Sequence, residues 1–215
     1  MKKIEIQKPF FEMIENTTCS LGFKKQKNKA GYKYARPILN GYNGIIPLIT
    51  QYDTLFFISV AFQLRIDDIS KILIYIENVG EEFQEEYSTF SFGIIYFDKY
   101  TDDRFRIETF EELDNALKTL KNIIEESALV FFENFKTIAD IDKEMNKNNR
   151  PKDLYCNEIS SRPFVGLIAA VLNKNPQAKY WESYYRENLQ NKNQHLKNQY
   201  EKLVSYLKEN YAGVL

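Results

Sequence analysis

The residue types that most often carry out chemistry are scarce in this chain. Of 215 residues, one is histidine, His195, and two are cysteines, Cys19 and Cys156. A Ser-His-Asp hydrolase would have to use His195, which sits in a Gln/Asn/Lys-rich stretch of the tail where a solvated side chain is expected. One histidine and two distant cysteines give no signature of a structural zinc site. Gly41-Tyr42-Asn43-Gly44 has two glycines but neither a following lysine nor a helix start, so it does not read as a phosphate loop. Glu81/Glu85 and Glu82/Glu86 would share a helical face and attract a divalent cation. No further ligands of fixed geometry accompany them, and a solvated acidic loop is expected. Both cysteines read as small buried hydrophobes, and no cofactor is expected.

Two stretches rise above this background. Residues 24–36 hold Lys24, Lys25, Lys27, Lys29, Lys33 and Arg36, with no acidic residue between Glu15 and Asp53. Tyr32 and Tyr34 are interleaved with them and Tyr42 follows, so cations and stacking rings coincide, as a nucleic-acid or protein contact requires. The candidate contacts are Lys24, Lys25, Lys27, Lys33, Tyr34 and Arg36. The competing reading is structural: lysines on an edge hairpin discourage edge-to-edge pairing. The second stretch is the odd-numbered face of Leu55 to Arg65, where Ser59, Ala61, Gln63 and Arg65 are small or polar. With Thr89, Ser91 and Gly93 it would form a shallow hydrogen-bonding surface, to which Gln63 and Arg65 contribute. A solvated outer sheet face is the alternative.

These residues need a sheet to position them. In Thr54 to Ile66 every even position (Phe56, Ile58, Val60, Phe62, Leu64, Ile66) is large and apolar, the pattern of a central strand with one buried face. Phe23 to Lys25, Tyr32 to Ile38, 45–52, Phe90 to Tyr96 and Arg104 to Glu108 read as further strands. Pro47 makes 45–52 an edge strand or delays its start. Helices are expected over 4–19 (regular from about Lys8 because of Pro9), from a cap at Asp67 or Asp68 through Ile76, and from Thr109 through about 132. Thr109 with Glu112 forms a capping box, and Thr137 with Asp140 starts a shorter helix. Arg162 to Leu172 follows, and Asn175-Pro176 restarts the chain with Pro at the first helical position. From 176 to 212 either one long helix or two are expected, because Lys192 interrupts the apolar stripe.

Strands first and helices last predict an α+β fold: an antiparallel sheet of about four to six strands, packed on one face by helices and followed by a C-terminal helical subdomain. The expected division is 1–108 and 109–215 within one compact unit, with 146–153 the candidate for a loop or hinge. The 44% hydrophobic and 15% aromatic share marks a folded protein. A net charge of -1 provides no global field toward nucleic acid or membrane. No apolar run approaches the roughly 20 residues that span a bilayer. The acidic and amide residues in the first sixteen positions rule against a signal peptide, and two cysteines suit a reducing cytoplasm.

The order of elements resembles uncharacterised bacterial proteins of the domain-of-unknown-function forty-three-oh-four type. The likeness lies in Leu21-Gly22-Phe23-Lys24-Lys25 after an opening helix, the strand at Tyr32 to Arg36, and the aromatic strand at Phe56 to Leu64. It continues in the helix after Thr109, Phe131-Phe132-Glu133-Asn134-Phe135, and Phe164 to Leu172 with Asn175-Pro176. The acidic 77–87 stretch and the long tail depart from it. The resemblance implies a fold and no activity. The function expected is that of a non-enzymatic cytoplasmic protein, accessory or immunity-type, whose partner is another protein. Weak nucleic-acid binding through 24–36 is the second reading, and an enzyme with a Glu/Arg/Tyr site the third.

Overall fold

A computed structural model describes residues 2–28, 31–97, 102–147 and 161–215. In chain order its elements are α1 (Lys3–Ser20), β1 (Lys24–Asn28), β2 (Gly31–Ile38), β3 (Gly41–Tyr52), β4 (Leu55–Ile66), α2 (Asp67–Glu77) and the single turn α3 (Glu81–Gln84). Then come β5 (Phe90–Phe92), a 3-10 turn at Ile94–Tyr96, β6 (Phe105–Ile107), α4 (Phe110–Asn122), a π-helical segment Ile123–Ala128 and α5 (Leu129–Asn134). The chain ends with α6 (Ile138–Met145), α7 (Ser161–Leu172), α8 (Ala178–Asn188) and α9 (Gln194–Asn210).

The fold is α+β, with a six-stranded sheet in the order β1-β2-β3-β4-β5 and β6 paired antiparallel to β4. Two compact units form: Met1–Leu64 with Ser91–Asn134, and Arg65–Phe90 with Phe135–Leu215. The change in element type after 108 therefore does not coincide with a unit boundary. The helical run after Thr109 belongs with the sheet, and α2 belongs with the late helices. Of the expected hinge, Asn146 and Lys147 lie at the end of α6, and 148–153 fall outside the described residues.

Strand β4 buries all six even positions, as the alternation predicts, and the five from Phe56 to Leu64 belong to the first unit. Phe62 is the ring hub of this layer, meeting Phe92 and Phe97 at 5.5 Å and Phe132 at 6.4 Å between centroids. Helix α1 packs on β1, β3 and α4 through buried Ile6, Phe10 and Ile14. It begins at Lys3, ahead of the start that Pro9 suggested. A proline at that position loses only the amide bond toward Glu5, and burial of Ile6 and Phe10 on either side holds the turn. Pro47 likewise lies inside β3, not at its start. The β2–β3 ladder runs from Ile38↔Gly41 to Tyr34↔Ile45 and stops before Pro47, so no ladder amide is missed on that side.

The Thr109 capping box is present, with Thr109 Oγ1 accepting from the Glu112 amide at 3.2 Å and Glu112 Oε2 from the amides of Thr109 and Glu108 at 2.9 and 2.7 Å. Those two amide donors hold the Glu112 carboxyl below its ordinary range. Downstream, the buried residues Ala116, Leu120, Ile124, Ala128 and Phe132 repeat every four residues. On a 3.6-residue helix that spacing drifts by about 40° each turn. The wider π turns at Ile123–Ala128 offset the drift and keep the stripe on the sheet side.

In the second unit, α7 is buried at every position from Pro163 to Val171, a central helix and not an amphipathic one. Helices α2, α6, α8 and α9 all pack on it. Ile66, not Asp67 or Asp68, is the cap position of α2, and both aspartates stand in its first turn. The opposite end of α2 is closed by Lys202, whose Nζ donates to the carbonyls of Tyr75 and Ile76 at 3.0 and 3.1 Å. The tail forms two helices, α8 and α9, divided at 189–193 around Lys192. Helix α8 starts after Gln177, so Pro176 is not its first residue; Asn175 Oδ1 instead accepts from the Gln177 amide at 2.8 Å. Two further expectations change. The strand from Phe90 ends at Phe92, where Gly93 turns the chain into the 3-10 segment. Cys19 is exposed, and Cys156 lies outside the described residues.

Candidate binding surface

The pleat decides which of the candidate residues act together. Lys25 pairs with Tyr34 and Lys27 with Tyr32 across β1–β2, and Tyr34 with Ile45 and Arg36 with Asn43 across β2–β3. Cross-strand partners share a face, so Lys25, Lys27, Tyr34 and Arg36 lie on the face that α1 covers. Lys24 and Lys33 lie on the opposite face, with Gly44 and Gln63. The basic segment is therefore two half-patches pointing in opposite directions.

On the helix-covered face Lys25 and Arg36 are engaged. Lys25 Nζ is 2.6 Å from Glu15 Oε2, and the Tyr34 hydroxyl donates to the same carboxylate at 3.4 Å. The Tyr32 and Tyr34 ring centroids lie 5.0 and 5.9 Å from Lys25 Nζ. The bond from Lys25 holds the Glu15 carboxyl below its ordinary value, and Glu15 in turn raises Lys25. Burial raises the Tyr34 phenol. Tyr34 is fully buried and belongs to the core, not to a contact surface. Arg36 stands 5.0 Å over the Phe23 ring and 3.3 Å from Glu133 Oε1. Beneath it Asn43 is 1% exposed, and neither polar atom of its amide has a hydrogen-bond partner.

The opposite face is built differently. Lys33 is only 7% exposed, with Nζ 4.2 Å from the Tyr42 ring centroid. A Cβ on Gly44 would come within 3.3 Å of both the Gln63 Cβ and the Tyr42 ring, so the glycine lets these two side chains close over it. Lys33 and Gln63 are thus brought to one cluster around Tyr42. Toward β6, the Arg104 guanidinium lies 4.4 Å from the Phe57 ring, and the Tyr52 ring meets Phe57 edge-on at 5.9 Å. Tyr52 is 57% exposed and Leu48, on the same side of β3, is 45% exposed. Ser59 is not part of an open surface: it is buried and donates to the Asp103 carbonyl. Asp103 also accepts from the Ile95 amide at 3.0 Å, tying the loop before β6 to the 3-10 turn.

Arg65 is a structural residue of the second unit. Its Nε donates to Asp67 Oδ1 at 2.6 Å, and its Nη1 to the carbonyls of Gln84, Glu85 and Tyr87 at 2.6, 3.0 and 3.0 Å. The acidic stretch therefore has a base at its centre, which clamps its backbone. Helix α3 ends at Gln84, so Glu85 and Glu86 do not share a helical face with Glu81 and Glu82. Thr89 is buried, accepting from the Ile66 amide at 2.8 Å and bonded to Ser70, and so leaves the shallow surface as well.

Two polar assemblies of the second unit escape sequence reasoning. Asp142 is buried and accepts from the side-chain amides of Asn146 at 2.6 Å, Asn173 at 2.6 Å and Asn175 at 2.9 and 3.0 Å. Asn146 accepts from the Tyr185 hydroxyl at 2.7 Å, and Gly166 leaves room for that hydroxyl. Each donor is directed by a second bond or a turn, so the assembly is a staple joining α6, α7 and α8. The other is a charged cleft between α8 and α9. The isolated asparagines at helix ends were the only sign of the first, and no spacing in the sequence announces either.

Among the described residues no group of three or more His, Cys, Asp or Glu is arranged to hold a metal ion, and no helix is long and apolar enough to cross a membrane. His195 is exposed. The chain matches no protein-family model, and no curated protein or solved structure matches it.

Proposed function

We propose that this chain is a non-enzymatic cytoplasmic protein that binds another protein through the sheet face bearing Leu48, Tyr52, Phe57 and Arg104. The observation that carries this reading is the exposure of Tyr52 and Leu48 beside a Phe57 ring sandwiched with Arg104 and Tyr52. Tyrosine, phenylalanine and arginine are the side chains enriched at the centres of protein interfaces, and a sheet face presents them on a rigid support. An accessory or toxin-neutralising role would employ such a surface.

The nucleic-acid reading has less support. Cations 24–36 divide between two faces, Lys25 and Arg36 are neutralised by Glu15 and Glu133, and the chain as a whole carries -1. A binder of single strands needs a continuous basic track. The two readings separate in one experiment on the full chain. A stoichiometric protein recovered from native lysate should be lost with the Leu48→Ser/Tyr52→Ala double variant, while circular dichroism stays unchanged. Capture that ignores the double variant defeats the proposed surface. Binding to a mixed oligonucleotide that falls steeply with salt and disappears on Lys24→Glu/Lys27→Glu would favour the nucleic-acid reading.

A further inference from the structure

Helix α1 rests on the sheet in two unlike halves. Its inward side chains Ile6, Phe10 and Ile14 are apolar, wholly covered and one turn apart. In the next turn the covered side chains are Thr17 and Thr18. Both hydroxyls are used within the helix: Thr18 Oγ1 donates to the Ile14 carbonyl at 2.7 Å, and Thr17 Oγ1 to Met13 Sδ at 3.7 Å. Gly22 then turns the chain toward β1 with φ at 81°, a conformation that glycine adopts without strain.

The contacts that tie this end of α1 to the rest of the unit are polar and lie at the surface. Glu15 meets Lys25 at 2.6 Å and the Tyr34 hydroxyl at 3.4 Å, and both members of the ion pair are open to water. Arg36 reaches the Leu21 carbonyl at 3.5 Å and Glu133 at 3.3 Å, and the Glu133 side chain is half-exposed. Pairs so exposed hold a helix weakly. Opposite Arg36 on the same face is Asn43, 1% exposed, with no partner for either polar atom of its side-chain amide. Arg36 thus links Asn43 and the end of α1 in one corner of the unit. A buried amide without bonds raises the free energy of the closed state, and it recovers those bonds wherever water reaches it. Of the side chains that α1 buries, Thr17 and Thr18 lose least on exposure, because they carry less apolar surface than Ile6, Phe10 or Ile14.

We propose that residues 17–22 form a release joint: they open locally about Gly22, water reaches Asn43, and the apolar half of α1 stays seated. The opening breaks the long Arg36–Leu21 bond and exposes two threonines, and the hydration of Asn43 offsets part of that cost. An apolar residue at position 43 would remove the offset and keep the joint closed.

Hydrogen exchange of the full-length protein, followed amide by amide by NMR, tests the joint. The amides of Leu21, Gly22 and Phe23 bond to the carbonyls of Thr18 and Cys19. They are expected to exchange at least tenfold faster than those of Ile14 and Phe62, at a rate that low urea leaves unchanged, because a local opening exposes little surface. Asn43→Leu keeps the branching and heavy-atom count of the side chain and should slow the three amides at least tenfold. Asn43→Val, which is smaller, guards against a misfit of the first variant. Exchange at Leu203, in the other unit, should not change. The proposal is overturned if neither variant slows the three amides, even where Phe62 slows, or if their exchange accelerates with urea as steeply as that of Phe62. Faster exchange in both variants, with lower melting temperatures, is the result expected of an Asn43 held by a fixed internal water, and it too overturns the joint.

Discussion

The β1–β2 hairpin and the α8–α9 pair are both rich in charge, and they dispose of it in opposite ways. In the hairpin, Lys25, Lys33 and Arg36 lie against the rings of Tyr32, Tyr42 and Phe23, with one carboxylate each for Lys25 and Arg36. In the helix pair, cations meet carboxylates in a shared network with no ring between them, and Glu182 serves two of them at once. A strand offers each side chain only its cross-strand and diagonal neighbours, so a lysine there takes whichever ring or acid its register supplies. Two helices allow side chains from four turns to converge on one point. Hence the sheet spreads its charge over two faces and keeps an apolar side open, whereas the helices concentrate charge in a cleft.

The largest perturbation tests the layer that both faces of the sheet depend on. Phe62→Asp places an unpaired carboxylate among Phe92, Phe97 and Phe132. A loss above about 4 kcal/mol is expected, which abolishes soluble expression; a stable, soluble variant would refute the central role of β4. Next is Asp142→Leu, which strands the amides of Asn146, Asn173 and Asn175 inside the second unit. About 3 kcal/mol of destabilisation is expected in urea unfolding, with Asp142→Asn recovering little, because an amide cannot accept on both atoms. Arg186→Met removes the bidentate bond to Glu201 and leaves Glu182 with Lys208 alone. Its expected cost is about 1–2 kcal/mol, since half of that network is open to water.

The smallest effect should come from Lys25→Met, because both partners of its ion pair are exposed. Its signature is in the pH profile. Glu15 is depressed in the folded protein, so its contribution is present above its ordinary value and lost as pH falls through the folded one. Lys25 is raised, so its contribution is present below its ordinary value and lost only as pH rises through the folded one. Thermal melts of the wild type should therefore decline at both extremes, and Lys25→Met should flatten both declines. An unchanged acid limb would mean that the Lys25–Glu15 pair contributes nothing to the hairpin's attachment to α1.

Much of the frame was legible in the sequence. The six even positions of β4 and the capping boxes at Thr109 and Thr137 are local patterns, and local sterics and amide satisfaction are enough to determine them. What failed did so where burial overrode a local signal. Pro9 sits inside α1 because Ile6 and Phe10 bury on either side of it. Pro47 sits inside β3 because the adjoining ladder has already ended. The candidate site was legible only as a list of residue types. Lys24, Lys25, Lys27, Lys33, Tyr34 and Arg36 are contiguous in sequence, and the period of two sends them to opposite faces. The same alternation puts Arg65 with Gln63 on the odd-numbered face of the central strand, yet the carbonyls of Gln84, Glu85 and Tyr87 gather around it.

The sequence by itself thus determined the α+β class, the buried face of the central strand and the capped helix starts at Thr109 and Thr137, because each depends on neighbours within a few residues. Only the tertiary structure decided which charges are engaged. Glu15 reaches Lys25 from ten residues away, Glu133 reaches Arg36 from ninety-seven, and Asn175 reaches Asp142 from thirty-three. A charge is engaged or free according to what stands within about 4 Å of it, and for these residues the chain path, not the local pattern, brings the partner there.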